Sequence, residues 1–144
     1  MVINIQYLRD VMPLEQKDYG AWVDCRAAER VELKAGDYAQ IPLGFAMRLP
    51  DHYEAHLAPR SSTFKNWGII QTNGVGVIDP SYCSSTDEWA MPVYATRDTV
   101  IEKNDRICQF RVMKTQPGLQ FSEQDLSKNK PRGGFGHSGK GSED

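Results

Sequence analysis

The residues best suited to chemistry lie between positions 58 and 82. Arg60 carries a planar fork of N–H donors that matches phosphate oxygens, and Ser61 and Ser62 place two hydroxyl donors beside it. An arginine next to serines is most often an ordinary surface charge. If a polar ligand is present, these three side chains predict an anion-binding site.

A glycine-punctuated apolar segment follows at residues 73–78. Its glycines permit a tight hairpin turn and let a flat group come close to the backbone. We expect the Asn73 amide and the backbone of Gly76, Val77 and Ile78 to pair with a nucleobase, although Asn-Gly before an apolar strand is usually only a turn.

Asp79 follows this apolar step directly. A carboxylate in that setting can accept a proton from water, although Asp-Pro by itself usually starts a loop. Tyr82 stands three residues further on, where its ring would cover whatever the turn holds. The segment therefore predicts a general base and an aromatic wall beside a binding turn.

Composition restricts the classes of function. A chain of 144 residues forms one domain with its own core. The net charge of −2 argues against stable nucleic-acid binding. Without a long apolar run or a signal peptide pattern, we expect a cytoplasmic protein with no membrane contact. Cys25, Cys83 and Cys108 are widely spaced, which predicts free thiols and neither a disulfide framework nor a zinc site.

The elements that must position these residues are short strands. Segments that alternate apolar and polar residues recur with turn signals about every ten residues, which predicts an all-β sandwich or barrel. The predicted strands cover residues 1–8, 21–29, 31–49 as hairpins, 53–57, 88–95 and 105–113, with one helical turn at 62–67. In the last strand, Cys108, Phe110 and Val112 should share one face and Ile107, Gln109 and Arg111 the other.

The C-terminal part differs in composition. Residues 115–144 contain few large apolar side chains, which predicts an arm that needs a partner surface, and residues 132–140 form a glycine-rich tail. We therefore predict a β core at residues 1–114 and, within the same domain, an arm and flexible lid at residues 115–144.

Five segments in this order resemble the signature motifs of the trimeric deoxyuridine triphosphate nucleotidohydrolases (dUTPases). They are residues 21–25 (Ala-Trp-Val-Asp-Cys), 58–62 (Ala-Pro-Arg-Ser-Ser), 73–82, 105–109 (Asp-Arg-Ile-Cys-Gln) and 132–139. The chain departs from the family pattern in four places, and in two of them Trp22 and Asn104 stand where the first and fourth motifs usually have a glycine. Cys83 and Ser84 follow the tyrosine where a basic residue and a glycine are usual, and the spacing from Arg132 to Phe135 is shorter than in the family.

The resemblance implies a jelly-roll-like barrel or sandwich that assembles as a homotrimer, with the C-terminal arm exchanged between subunits. It implies hydrolysis of dUTP to dUMP and pyrophosphate with Mg²⁺ held through the triphosphate and water. Asp79 would activate the attacking water at the α-phosphorus. Arg60, Ser61 and Arg132 would offset charge on the phosphates, and Gln109 would supply an amide to a phosphate oxygen or the water.

The remaining roles implied by the resemblance concern binding. Asp24 would lie near the metal-bound phosphates and act through water, and Tyr82 would pack against the deoxyribose. The tail would close over the nucleotide, and Phe135, Trp89 or a neighbouring aromatic would cap the uracil. The tail residues expected to contact substrate are Arg132, Phe135, Gly136, His137 and Ser138.

Two other functions stay open at this point. A dCTP deaminase of the same superfamily shares the Arg-Ser-Ser and Asp-Pro elements and would need a glutamate beside the base, for which Glu88 is the nearby acid. A catalytically silent relative would instead signal nucleotide state to a regulatory protein partner. The presence of Arg60, Ser61, Asp79 and Gln109 together argues against the silent relative.

Overall fold

The computed structural model describes residues 1–134 and residue 136. The predicted site residues Phe135, His137 and Ser138 lie outside this part of the chain. Within it, eleven strands and one short helix follow one another. They are β1 (Asn4–Tyr7), β2 (Val23–Arg26), β3 (Val31–Leu33), β4 (Tyr38–Pro42), β5 (Phe45–Arg48), β6 (Tyr53–Pro59), α1 (Thr63–Trp67), β7 (Ile69–Gln71), β8 (Gly76–Ile78), β9 (Ala90–Ala95), β10 (Thr99–Ile101) and β11 (Arg106–Lys114).

The strands form four antiparallel sheets, in the orders β2-β11-β6-β8, β4-β9-β7, β1-β5 and β3-β10. The two larger sheets contribute side chains to one hydrophobic core, for example Leu57 from β6 and Met91 from β9. The prediction of an all-β, jelly-roll-like fold is confirmed. No helix among the described residues is long and apolar enough to cross a membrane.

The predicted hairpins between residues 31 and 49 are wrong. β3 pairs with β10, β4 with β9, and β5 with β1. The turn at residues 73–78 likewise connects two sheets, because β7 pairs with β9 and β8 with β6. Gly36 and Gly44 do have positive φ angles, as a chain reversal requires. A turn residue reverses the chain locally, whereas burial of apolar faces over long range decides which strand becomes the neighbour.

The face assignment of β11 also needs one correction. The pairing of β11 with β2 shifts register between Arg106 and Cys108, and Ile107 is fully buried, not on the same face as Gln109. An irregularity of this kind adds a residue to one strand, so the alternation changes phase there. Beyond it, Cys108 lies opposite Cys25 and both are buried, and the three cysteines are free thiols as predicted.

Trp89 lies at the centre of the core. It is fully buried, with its ring centroid 5.1 Å from that of Phe45 and 5.2 Å from that of Phe110. Edge-on and tilted aromatic contacts at this separation are favourable beyond the area they bury. Trp89 therefore cannot cap a bound base, and this alternative of the sequence analysis is wrong.

Candidate active site

The first cleft of the candidate site forms where β2, β6 and β11 meet. Register places Gln109 opposite Asp24 on one side and Ala58 on the other, so residues distant in sequence become neighbours. The cleft has a volume of about 450 Å³ and includes Asp24, Arg60, Ser61 and Gln109 in its lining. The structure thus brings together three of the four predicted catalytic residues with Asp24.

The charges in this first cleft are mostly positive. The Nε of Arg60 lies 3.1 Å from Oδ1 of Asp24, and Nη1 of Arg106 lies 3.6 Å from Oδ2. Lys17 and Arg26 line the same cleft. Two carboxylates line the cleft with these four cations, Asp24 and also Glu15, which pairs with Lys17 at 3.0 Å. The excess of positive charge favours an anionic ligand.

Arg60 is held from two directions. Its Nη1 donates to the Arg106 carbonyl at 3.0 Å, and its backbone N–H donates to Oγ1 of Thr63 at 2.8 Å. Thr63 is fully buried and donates in turn to the carbonyl of Ile107 at 2.9 Å. The residue after the serines thus ties Arg60 to the bulged start of β11. The sequence had assigned Thr63 no role, and its only signal was its position directly after two serines, at the start of the helical turn.

The helix α1 carries Ser62 at its N-cap, and that side chain makes no capping bond. At the other end, Nη2 of Arg97 donates to the carbonyls of Asn66 at 3.0 Å and Lys65 at 3.2 Å. A cation near the last carbonyls of a helix satisfies acceptors that have no partner within the helix. Arg97, which the sequence analysis did not assign, therefore stabilises the helix that follows the serines.

The second cleft lies beside β8 and the turn before it. It has a volume of about 410 Å³, and its lining includes Asn73, Val77, Ile78, Asp79 and Tyr82. This grouping contains most of the residues predicted to bind a base and sugar.

Glycines give the turn beside the second cleft its shape. Gly74 has a φ of 65°, a conformation that side-chain-bearing residues rarely adopt. A Cβ on Gly76 would lie 3.0 Å from the Cβ of Leu57 and 3.4 Å from Nδ2 of Asn73. Gly76 pairs with Leu57 on β6. The strand β8 can therefore approach β6 this closely only with a glycine there.

Asp79 follows β8 and is exposed to solvent. Its Oδ1 accepts the backbone N–H of Ser81 at 2.8 Å. Two hydrogen bonds from Ser81 lower the pKa of the Asp79 carboxyl below the ordinary value of 3.8. The bond from the side chain has the larger effect, and the bond from the backbone N–H the smaller. Asp79 is thus an oriented, ionised carboxylate at neutral pH, able to orient a water and accept a proton from it in a reaction.

The side chain of Tyr82 reaches across the longer loop that follows this residue. Its hydroxyl donates to the Glu88 carbonyl at 2.9 Å, and the Ser84 N–H donates to Oδ2 of Asp87 at 2.9 Å. Partial burial raises the pKa of the Tyr82 phenol, and the nearby negative charges of Asp87 and Glu88 raise it further by smaller amounts. The departure from the family pattern at Cys83 and Ser84 is therefore an ordered loop that still leaves Tyr82 lining the cleft.

The carboxylate of Glu88 is already engaged. It accepts Nε of Arg9 at 2.8 Å, Nη2 of Arg9 at 3.1 Å and the Gly44 N–H at 3.0 Å. Both carboxylate oxygens of Glu88 are therefore engaged by protein donors and turned toward Arg9 and Gly44. This weakens the deaminase alternative, which needs Glu88 to exchange protons beside the base.

Among the residues that the structure describes, the two clefts share no lining residue. In this part of the chain, Asp79 therefore lies in a different cleft from Arg60 and Gln109. Of the predicted tail residues within the described part, Arg132 and Gly136 are exposed and line neither cleft. The described residues contain no group of three or more His, Cys, Asp or Glu side chains that could hold a metal ion.

Comparisons of the sequence with known proteins agree on one family of relatives. The profile of the dUTPase family matches residues 10–139. The SPbeta prophage-derived deoxyuridine 5'-triphosphate nucleotidohydrolase YosS of Bacillus subtilis (strain 168) is 51% identical over 140 residues, which cover 96% of this chain and 99% of the relative. The deoxyuridine 5'-triphosphate nucleotidohydrolase of Rickettsia felis is 33% identical over 131 residues, covering 89% of this chain and 88% of the relative.

Structural comparisons give the same fold. A dUTPase of Staphylococcus bacteriophage 80alpha, solved with dUpNHpp, superposes with a TM-score of 0.79 at 20% identity, covering 96% of this chain and 98% of the other. A dUTPase from phage phi11 of S. aureus, described as coordinating a structural Mg(II) ion, gives 0.76 at 17% identity and covers 86% and 98%. At these identities the likeness concerns the fold alone.

Proposed function

The chain belongs to the dUTPase family, and from this premise we propose that it hydrolyses dUTP to dUMP and pyrophosphate. The observation that carries the proposal is the position of Asp79, an ionised carboxylate oriented by Ser81 in the lining of the cleft that also contains Asn73 and Tyr82. The cleft supplies a place for a base and sugar, and the carboxylate supplies the group that activates water beside them.

The second cleft is the proposed base and sugar site. The Asn73 amide and the backbone groups of Gly76, Val77 and Ile78 pair with the uracil edge. Cytosine replaces one acceptor with a donor, so its binding would leave buried polar groups unpaired, a larger penalty than a change of size. The ring of Tyr82 packs against the deoxyribose and leaves no room for a ribose hydroxyl.

The first cleft is the proposed phosphate site. Arg60, Ser61 and Ser62 donate to phosphate oxygens, and the Gln109 amide donates to a phosphate oxygen or holds the attacking water. Nε2 of Gln109 donates to the Pro59 carbonyl at 3.1 Å, which orients the amide toward the residues just before Arg60. The cations of this cleft offset the charge that develops on the phosphates during displacement.

Magnesium fits this site only in association with the substrate. Asp24 is the carboxylate beside the arginines, and it is already paired with Arg60. Mg²⁺ prefers oxygen ligands and usually retains several waters. When bound to the triphosphate, the ion would neutralise negative charge on the phosphate oxygens, and Asp24 would contact its waters.

The separation of the two clefts supports a homotrimer. We infer that the Asp79 cleft of one subunit faces the Arg60 cleft of another. Residues 1–114 form the core of each subunit, and residues 115–144 cross to a neighbour as an arm. Positions 116–134 are exposed along their whole length in the single chain, as an arm without its partner would be. The arm then places Arg132, Phe135, Gly136, His137 and Ser138 over the nucleotide.

The chemical step is an in-line displacement by water. Asp79 orients the water and takes its proton as the oxygen attacks the α-phosphorus. Pyrophosphate leaves on the opposite side, and dUMP remains in the base and sugar site. Asp79 is the base that lines the second cleft, and the nucleophile that we propose it activates is water.

A direct assay tests this function. The purified chain is incubated with Mg²⁺ and either dUTP or dCTP, and pyrophosphate and ammonia are measured separately. We expect pyrophosphate from dUTP and no ammonia from dCTP. Ammonia release from dCTP would identify a deaminase instead, and the absence of both products would identify a catalytically silent relative.

A further inference from the structure

Gln71, the last residue of β7, is a buried polar side chain next to the base site. It is 5% exposed, although it follows two isoleucines in an apolar strand. Its Nε2 donates to the Leu57 carbonyl at 2.9 Å and to the Gly74 carbonyl at 3.3 Å. Its Oε1 is buried and has no hydrogen-bond partner in the described part of the chain.

These two bonds join the turn to the neighbouring strand. Leu57 lies on β6 and pairs with Gly76, the first residue of β8. Gly74 lies within the turn and has a positive φ angle. One carboxamide therefore links the turn at Gly74 to Leu57, the residue on β6 with which Gly76 pairs.

The cost of Gln71 indicates that the two bonds matter. A buried carbonyl oxygen without a partner destabilises the folded state relative to an apolar side chain of the same size. Leu or Met would fill a similar volume with no polar atom to satisfy. The glutamine leaves one oxygen without a partner, but its amide group donates two hydrogen bonds to backbone carbonyls, which Leu or Met could not do.

We propose that Gln71 is a positioning residue for base selection, because its carboxamide holds the backbone of the turn in the geometry that pairs with uracil. This inference rests on the proposed function of the second cleft. Gln71 does not line that cleft, so it acts through the backbone of Gly74 and Gly76. Hydrogen bonds weaken steeply outside a narrow range of distance and angle, so a turn that can shift loses discrimination first.

The effect on kinetics follows from what Gln71 touches. Without the two hydrogen bonds from Gln71, the turn can shift. Its donors and acceptors then fit uracil less well and reject cytosine less strongly. The carboxylate of Asp79 keeps its own bond to Ser81, and Arg60 keeps its bond to Thr63. The loss should therefore appear in KM and in base discrimination and not in kcat.

The test replaces Gln71 with Met, which keeps an unbranched chain of similar length, and separately with Leu, which repacks the space if the first variant folds poorly. Pyrophosphate release from dUTP and dCTP is measured with Mg²⁺. We expect KM for dUTP to rise about ten-fold, kcat to stay within about two-fold, and the dUTP to dCTP ratio of kcat/KM to fall about ten-fold. Binding of dUMP and dCMP by calorimetry should lose discrimination in parallel.

A matched control separates positioning from stability. Leu33→Ala removes a buried side chain from β3, outside both clefts, and should lower the unfolding temperature without changing the dUTP to dCTP ratio. If both Gln71 variants keep the ratio of the unaltered protein, the inference is overturned while the proposed function stands. If the unaltered protein does not hydrolyse dUTP, both are overturned.

Discussion

The guanidinium of Arg60, just after β6, lies 3.1 Å from the carboxylate of Asp24 on β2, although β11 lies between these two strands in the sheet. The pair is partly exposed, so it contributes little to stability and keeps both groups available at the cleft. We expect Asp24→Asn to lower the apparent affinity for Mg²⁺ about ten-fold, because the amide orders metal-bound water less well than a carboxylate.

The measurement for Asp24→Asn is turnover against Mg²⁺ concentration, together with urea unfolding. The free energy of unfolding should change by less than about 1 kcal/mol. Asp10→Asn is the matched control, since Asp10 forms an exposed ion pair with Lys103 away from the clefts. An unchanged Mg²⁺ dependence in Asp24→Asn would remove Asp24 from the phosphate site.

Asp79→Asn tests the general base. The amide keeps the size of the side chain and cannot take a proton from water, so turnover should fall about 10²–10⁴-fold. Affinity for dUMP, measured by calorimetry, should stay within about three-fold because the base and sugar contacts come from other residues. Asp51→Asn, in the exposed turn after β5, is the control. Turnover retained by Asp79→Asn would show that another group activates the water.

Thr63→Val tests the support of Arg60. The valine leaves the Arg60 N–H and the Ile107 carbonyl without their partner, which should cost about 1–3 kcal/mol of unfolding free energy and raise KM for dUTP. Thr63→Ser keeps the hydroxyl, so its KM for dUTP should stay close to that of the unaltered protein. The hydroxyl has no special role if the serine variant loses as much substrate affinity as the valine variant.

Removal of residues 131–144 tests the tail as a lid. Residues 131–134 are exposed in the single chain, so the unfolding temperature should shift by less than about 2 °C while turnover falls steeply. A shorter truncation that removes only residues 140–144 keeps the motif-like segment 132–139 and should stay active. Equal turnover of the two truncated chains would mean that the segment does not close over substrate.

Much of the fold could be predicted from local patterns. The alternation of apolar and polar residues located most strands, and positive φ angles occur at Gly36 and Gly44, where the sequence predicted turns. The order of the five motif-like segments led to the family that the comparisons identify. These features depend on neighbouring residues in the chain, so a single sequence contains them.

The sequence by itself thus determined the strand periodicity, the turns and the family. Only the tertiary structure decided that β3 to β5 pair with β10, β9 and β1, that Ile107 turns inward and that Trp89 is buried. It also revealed the bonds of Gln71 and Thr63 to backbone carbonyls. Pairing and burial depend on contacts between distant segments, which are settled when apolar faces leave water together and which no local pattern records.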